Sequence, residues 1–249
     1  MLTSAVVLIG LQLKPMGWSL LLLAGFSLLL ADKLFAKDML LIVIALAILG
    51  ITPITTDVSY SHMAVMGAAL LLALAIPYGV SRFVYGDYRV RFRFHHGRSW
   101  YKTEVAYIAV AALISYLIIP FYLTSTGVYM NWPAADSSSV ARLFTGTNVL
   151  GIWDELFFIS TILGLFRHYF KFHLANVFQA VLFTAFLYEL GFQGWGPVMI
   201  FIFALLQGYV FKKTESLFYV ITIHLTVDVV LFLALMHTHH PDMFAIFIT

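Results

Sequence analysis

Eight stretches of this chain, near residues 16–31, 39–55, 62–80, 104–127, 145–166, 172–190, 196–211 and 216–236, are apolar for about the length that crosses a bilayer. Backbone polar groups in hydrocarbon must be satisfied within the segment itself, so runs of this kind are read as helices. The chain is 62% apolar and 10% charged, which leaves almost no material for a soluble domain beside them. The expected fold is therefore an all-α, polytopic transmembrane helical bundle of about eight spans. Residues 2–13 end at Lys14-Pro15 and are too short to cross comfortably. They are read as a shallow segment or as a helix continuing through a proline kink. The absence of cysteine removes disulfides, thiolate catalysis and Cys-ligated metal sites. The start, MLTSAVVLIGLQLKPMGW, has no basic leader and no small-residue cleavage site, so it is not read as a signal peptide.

Basic residues set the expected orientation. Lys33 and Lys37, the six cations from Arg82 to Lys102, Arg167 and Lys171, and Lys212 and Lys213 all fall on one side of an eight-helix alternation. They are 12 of the 14 Lys and Arg residues, and the positive-inside rule puts that side in the cytoplasm. The loop YRVRFRFHHGRSWYK alternates basic and aromatic residues as a segment attracted to an anionic leaflet does, so membrane lipid, not nucleic acid, is its expected partner. A prokaryotic inner or cell membrane is the expected location.

Of the 12 acids, most sit near helix ends or in loops, while Asp154, Glu155, Glu189 and Asp228 fall inside apolar spans. A charge at the bilayer centre costs about 2.5–3.5 kcal/mol on insertion scales, so such residues are read as functional. Counting at 1.5 Å per residue from Arg167 and from Glu215 puts Glu155, His224 and Asp228 at one mid-bilayer level, with Glu189 nearer the outer face. His224 and Asp228, at i and i+4, share a helix face. Asp154 and Glu155 point about 100° apart and cannot both aim at one atom, so one is expected to act and the other to be held by a neighbouring helix. Three chemistries use such a set: a carboxylate deprotonating a water beside a polarising imidazole, a divalent metal held by Glu155, Glu189, His224 and Asp228, or a proton relay. The bland alternative is an interhelical hydrogen-bond cluster.

The stretch 153–230 resembles the CPBP family of intramembrane proteases, which process CAAX prenyl proteins and bacteriocins and include the abortive-infection proteins. The resemblance rests on the family's motifs E-E-x-x-x-R, F-x-x-x-H and H-x-x-x-N/D. The third is present as His224-Leu-Thr-Val-Asp228, with the lead-in GYVFKKTESLFYVITIH. The first is present in its acidic pair, Asp154-Glu155, with Ile159 at the Arg position. In the second, Phe183 matches and Leu187 stands at the His position, with Glu189 two residues on. The resemblance implies Asp154 or Glu155 as the base that activates water, His224 with Asp228 as the polarising pair, and Glu189 as a binding residue in the vacant second-motif role.

It also implies the organisation expected here: N-terminal helices over 1–144, a CPBP-like core of four spans over 145–236, and a His-containing external tail over 237–249. The function it implies is an intramembrane endopeptidase acting, without cofactor, on a hydrophobic, lipidated or membrane-associated peptide or protein. The alternatives are a metal-dependent membrane enzyme on the same core, and a non-catalytic scaffold or regulator of a membrane partner. Weaker signals are the tail group His237, His239, His240 and Asp242 as a metal site or a solvated end, and His95-His96 as a headgroup contact. Trp100, Trp132, Trp153 and Trp195 are read as interfacial anchors.

Overall fold

The computed structural model describes residues 1–95, 97–134, 136–241 and 246–247. Each of the eight apolar runs becomes a helix: α2 (Lys14–Ser27), α3 (Lys33–Ile51), α4 (Tyr60–Gly79), α5 (Lys102–Thr126), α6 (Ser137–Asp154) with its continuation α7 (Leu163–Phe166), α8 (Phe172–Glu189), α9 (Gly196–Thr214) and α10 (Leu217–His239). Before them lies a short helix, α1 (Leu2–Ala5), extended by a π-helical turn, Val6–Gly10. Six segments, Lys33–Ile51, Tyr60–Tyr85, Lys102–Thr126, Ser137–Phe166, Gly196–Thr214 and Leu217–His239, are long and apolar enough to cross a membrane, and the apolar helix Lys14–Leu30 is shorter. The chain is an all-helical integral membrane protein.

Residues 2–10 do not continue into α2. The chain reverses at Gln12, whose φ of 53° lies in the left-handed region, and Leu8 then packs against Gly17 so closely that a Cβ there would collide with it. Of the two sequence readings, the kinked continuation is thus set aside. Leu8 is fully buried, and Gly10 lies against Ala185 of α8, so the segment is part of the core.

The last four helices form the frame of the site. α10 packs against α5, α6 and α9, and α8 runs along α9. Amides fasten α8 to α9: Gln179 Nε2 donates to Asn176 Oδ1 and to Ala204 O, both at 2.9 Å, and Asn176 Nδ2 donates to Leu205 O. Gly208 makes this approach feasible, since a Cβ there would strike Asn176 Oδ1.

The basic loop before α5 forms a strap under the bundle. Its backbone carbonyls cap the start of α10, where Leu217 N donates to Arg93 O at 2.7 Å and Phe218 N to Phe94 O at 3.0 Å, while Ser216 Oγ accepts from Tyr219 N. Three amides that a helix start leaves without intrahelical partners are thereby satisfied. Several strap arginines have protein partners: Arg89 donates to Asp38 and to Tyr169, Arg93 pairs with Glu215, and Arg98 grips Glu104 through both nitrogens. Asp38, Glu104 and Glu215 are therefore counter-charges of this loop.

Two tryptophans depart from the anchoring expectation. Trp153 is buried, donates from Nε1 to Leu70 O at 2.7 Å and stacks on Phe157 with ring centres 4.6 Å apart. Trp132 is also buried, edge-on to Phe192. In both, the indole finds its partners inside the protein and not at a lipid interface.

Candidate active site

A π-helical turn, Glu155–Ile162, begins at the second acid of the pair and joins α6 to α7. Turns of this kind widen the helix and recur at functional sites. The adjacent carboxylates do not reach one atom, as their angular separation predicts, but they reach one ring. His224 Nδ1 is 2.8 Å from Glu155 Oε1, and His224 Nε2 is 3.9 Å from Asp154 Oδ2 and 3.8 Å from Asp228 Oδ1. One imidazole has two nitrogens on opposite edges, so acids about 100° apart on α6 can each face one of them.

Glu155 is fully buried and sits behind the imidazole. Its Oε1 accepts a second hydrogen bond, 2.7 Å long, from Gln207 Nε2, which also donates to Val220 O at 3.0 Å. A carboxylate oxygen only accepts, so Glu155 places a proton on Nδ1 and turns Nε2 outward, the ring-orienting role of the acid in an acid–histidine pair. Phe203 packs edge-on against the His224 ring at 5.1 Å, and Phe183, the aromatic of the second motif, lies 6.0 Å away.

Asp154, His224 and Asp228 open onto a cavity of 490 Å³ that extends to the loop Thr55–Val58 at the far end of the bundle. Its walls are mainly apolar, among them Met66, Leu70, Ile119, Leu150 and Leu206. Leu187, at the position of the second-motif histidine, lines this cavity, and Ile159 is fully buried in the core. Asp154 Oδ1 and Asp228 Oδ2 are buried and accept no hydrogen bond. Gly151, one turn before the acids, lets Asp228 approach α6, for a Cβ there would occupy the place of Asp228 Oδ2.

The structure thus brings together Asp154, Glu155, His224 and Asp228, and it does not bring Glu189 to them. Glu189 ends α8, partly buried, and its charge partner is Lys14 of α2. Gln207 was missed by sequence reasoning; the available signal was an amide inside the otherwise apolar run of α9.

The set expected to hold a divalent metal, Glu155, Glu189, His224 and Asp228, is not brought together. Glu155 Oε1 is taken by Gln207 and His224, Glu189 is elsewhere, and among the described residues no three His, Asp or Glu side chains are arranged to hold one ion. The tail histidines have structural bonds, His239 Nε2 to Tyr129 O at 3.1 Å and His240 Nε2 to Ala134 O at 2.9 Å. Asp242 and His96 lie outside the described residues.

Residues 136–230 match the family model described as Rce1-like, type II CAAX prenyl endopeptidase. No curated protein and no solved structure matches the chain. The matched segment runs from the capped start of α6 through the middle of α10 and contains the acidic pair, Gln207, His224 and Asp228. Every member of the site thus lies within the segment that is similar to the Rce1-like endopeptidases.

Proposed function

We propose that the protein is an intramembrane endopeptidase that hydrolyses a peptide bond in a hydrophobic or lipidated, membrane-associated chain. The observation that carries this reading is the orientation of His224: Glu155 holds Nδ1, and Nε2 faces Asp154 and Asp228 at the floor of an apolar cavity. A water within about 2.8 Å of two groups that stand 3.9 Å apart can bond to both, so Asp154 and His224 Nε2 together fit a bound nucleophile. Asp154, the member of the acidic pair that lines the cavity, takes the proton as the water attacks the carbonyl. His224 Nε2, whose imidazolium form Glu155 supports, relays that proton from Asp154 to the leaving amine. Asp228, with Oδ1 at 3.8 Å from Nε2, adds a second carboxylate beside the imidazolium. This division of labour needs no metal.

The apolar walls suit a substrate presented from the membrane, and the strap side is proposed to be cytoplasmic, in a prokaryotic cell membrane. Glu155→Gln and His224→Ala are each expected to abolish processing of a partner protein at unchanged abundance. If both variants keep full function in cells, the protein acts as a scaffold. Orientation is read separately: the chain has no cysteine, so single cysteines placed in 82–102 should be labelled only from inside. Labelling from outside would reverse the topology.

A further inference from the structure

We infer that the floor of the cavity binds one primary ammonium group carried on an apolar chain. The inference deepens the proposed function by naming the ligand class of that same site. Three carboxylates surround a single imidazole there. The charges acting on Asp154 are His224, Asp228 and Glu155, and those acting on Asp228 are His224 and Glu155, with no Lys or Arg among them. Ile159, one turn beyond the acidic pair, supplies no compensating cation, and the guanidinium of Arg142 is engaged with Val58 O and Ser138.

The second observation is independent of charge counting. Asp154 is 1% exposed, it lines the cavity, and its Oδ1 has no hydrogen-bond donor; Asp228 Oδ2 is in the same condition. A buried acceptor left unpaired costs about 1–3 kcal/mol, more when charged, so each favours a ligand that brings a donor. A primary ammonium has three N–H donors and one positive charge, which suits the unpaired oxygens of Asp154 and Asp228 and the excess of carboxylates. An alcohol has one donor and no charge, and an anion is repelled. The apolar walls above the floor then take the chain, each buried methylene contributing about 0.8 kcal/mol. Because the ammonium uses the Asp154 carboxylate assigned to the hydrolytic water, such a ligand also blocks hydrolysis.

The test uses the purified full chain in nanodiscs of zwitterionic lipid, titrated with hexylamine, 1-hexanol or hexanoate while tryptophan emission is followed. Trp132 and Trp195 line the cavity and serve as reporters. Hexylamine is expected to saturate the signal at a concentration at least tenfold below that of hexanol, and hexanoate to give no saturable change. The combined Asp154→Asn and Asp228→Asn variant should lose the tenfold preference. Gly151→Ala, which keeps both charges but displaces Asp228, should reduce it at least threefold and decides the matter alone if the double variant does not fold. Equal binding of amine and alcohol, or a preference that survives these substitutions, overturns the inference. Ammonium binding without any peptidase activity would leave this inference standing and sink hydrolysis; peptidase activity without ammonium preference would do the reverse.

Discussion

Replacing Gln207 with leucine isolates the link between the acidic pair and the imidazole. Gln207 is buried and donates two hydrogen bonds from one nitrogen, to Glu155 Oε1 at 2.7 Å and to Val220 O at 3.0 Å. A bond to a carboxylate contributes about 2 kcal/mol and one to a neutral carbonyl about 1 kcal/mol. Leucine fills much the same volume and its added apolar burial offsets about 1 kcal/mol. The net loss is about 2 kcal/mol, or roughly 4–8 °C in the melting temperature of a chain of this size. The assay is thermal unfolding in detergent, repeated with Glu155→Gln as background. Without the carboxylate, the Gln207 bond is an ordinary neutral one, so the same substitution should then cost about 1 kcal/mol less. Equal shifts in both backgrounds would refute the claim that Gln207 acts on Glu155.

Other parts of the account are open to simpler checks. Asp38→Asn should destabilise the protein by about 2–3 kcal/mol, because it removes the buried negative charge to which Arg89 and Tyr169 donate at 2.5 and 2.7 Å and leaves the Arg89 guanidinium without that carboxylate; thermal unfolding reads the loss. Burial, together with the bond to Asp38 and its charge, pushes the Tyr169 phenol up to about 12. A phenol raised in the folded state contributes stability that is complete below the unfolded value near 10 and is lost as pH rises toward 12, so Tyr169→Phe should remove a tyrosinate absorbance step near pH 12. Arg93→Ala should shift the melting temperature little, since the Arg93–Glu215 pair is exposed and it is the backbone carbonyl of Arg93 that caps α10. A large drop would show that the side chain anchors the strap. Purified protein is expected to carry no stoichiometric divalent metal by elemental analysis; a full-occupancy ion bound by Glu155, His224 and Asp228 would overturn the plain hydrolytic mechanism.

The helices were legible because an apolar run of bilayer length has few other folds, and the shared level of Glu155 and His224 followed from rise per residue alone. The hairpin of residues 2–10 on α2 was not, since length leaves a short apolar piece ambiguous and only the packing of Leu8 on Gly17 decides it. The protein partners of the strap were not legible, because Asp38 and Glu215, which pair with Arg89 and Arg93, lie 51 and 122 residues away in sequence. The site was legible as a set of costly acids, but not the division within it. Adjacent positions fix the angle between Asp154 and Glu155, yet which one meets the cavity depends on where α10 places His224. Gln207 escaped notice because a neutral amide is a weak signal in an apolar run, and its value lies entirely in the partner across the helix gap.

The most direct test of the central claim is hydrolysis by the purified chain in liposomes, with a mixture of hydrophobic and lipidated peptides in heavy-oxygen water and products read by mass spectrometry. The account predicts at least one new peptide pair whose fresh carboxyl terminus carries one heavy oxygen, with the wild type and not with His224→Ala or Glu155→Gln. Identical peptide profiles for the wild type and both variants would contradict it.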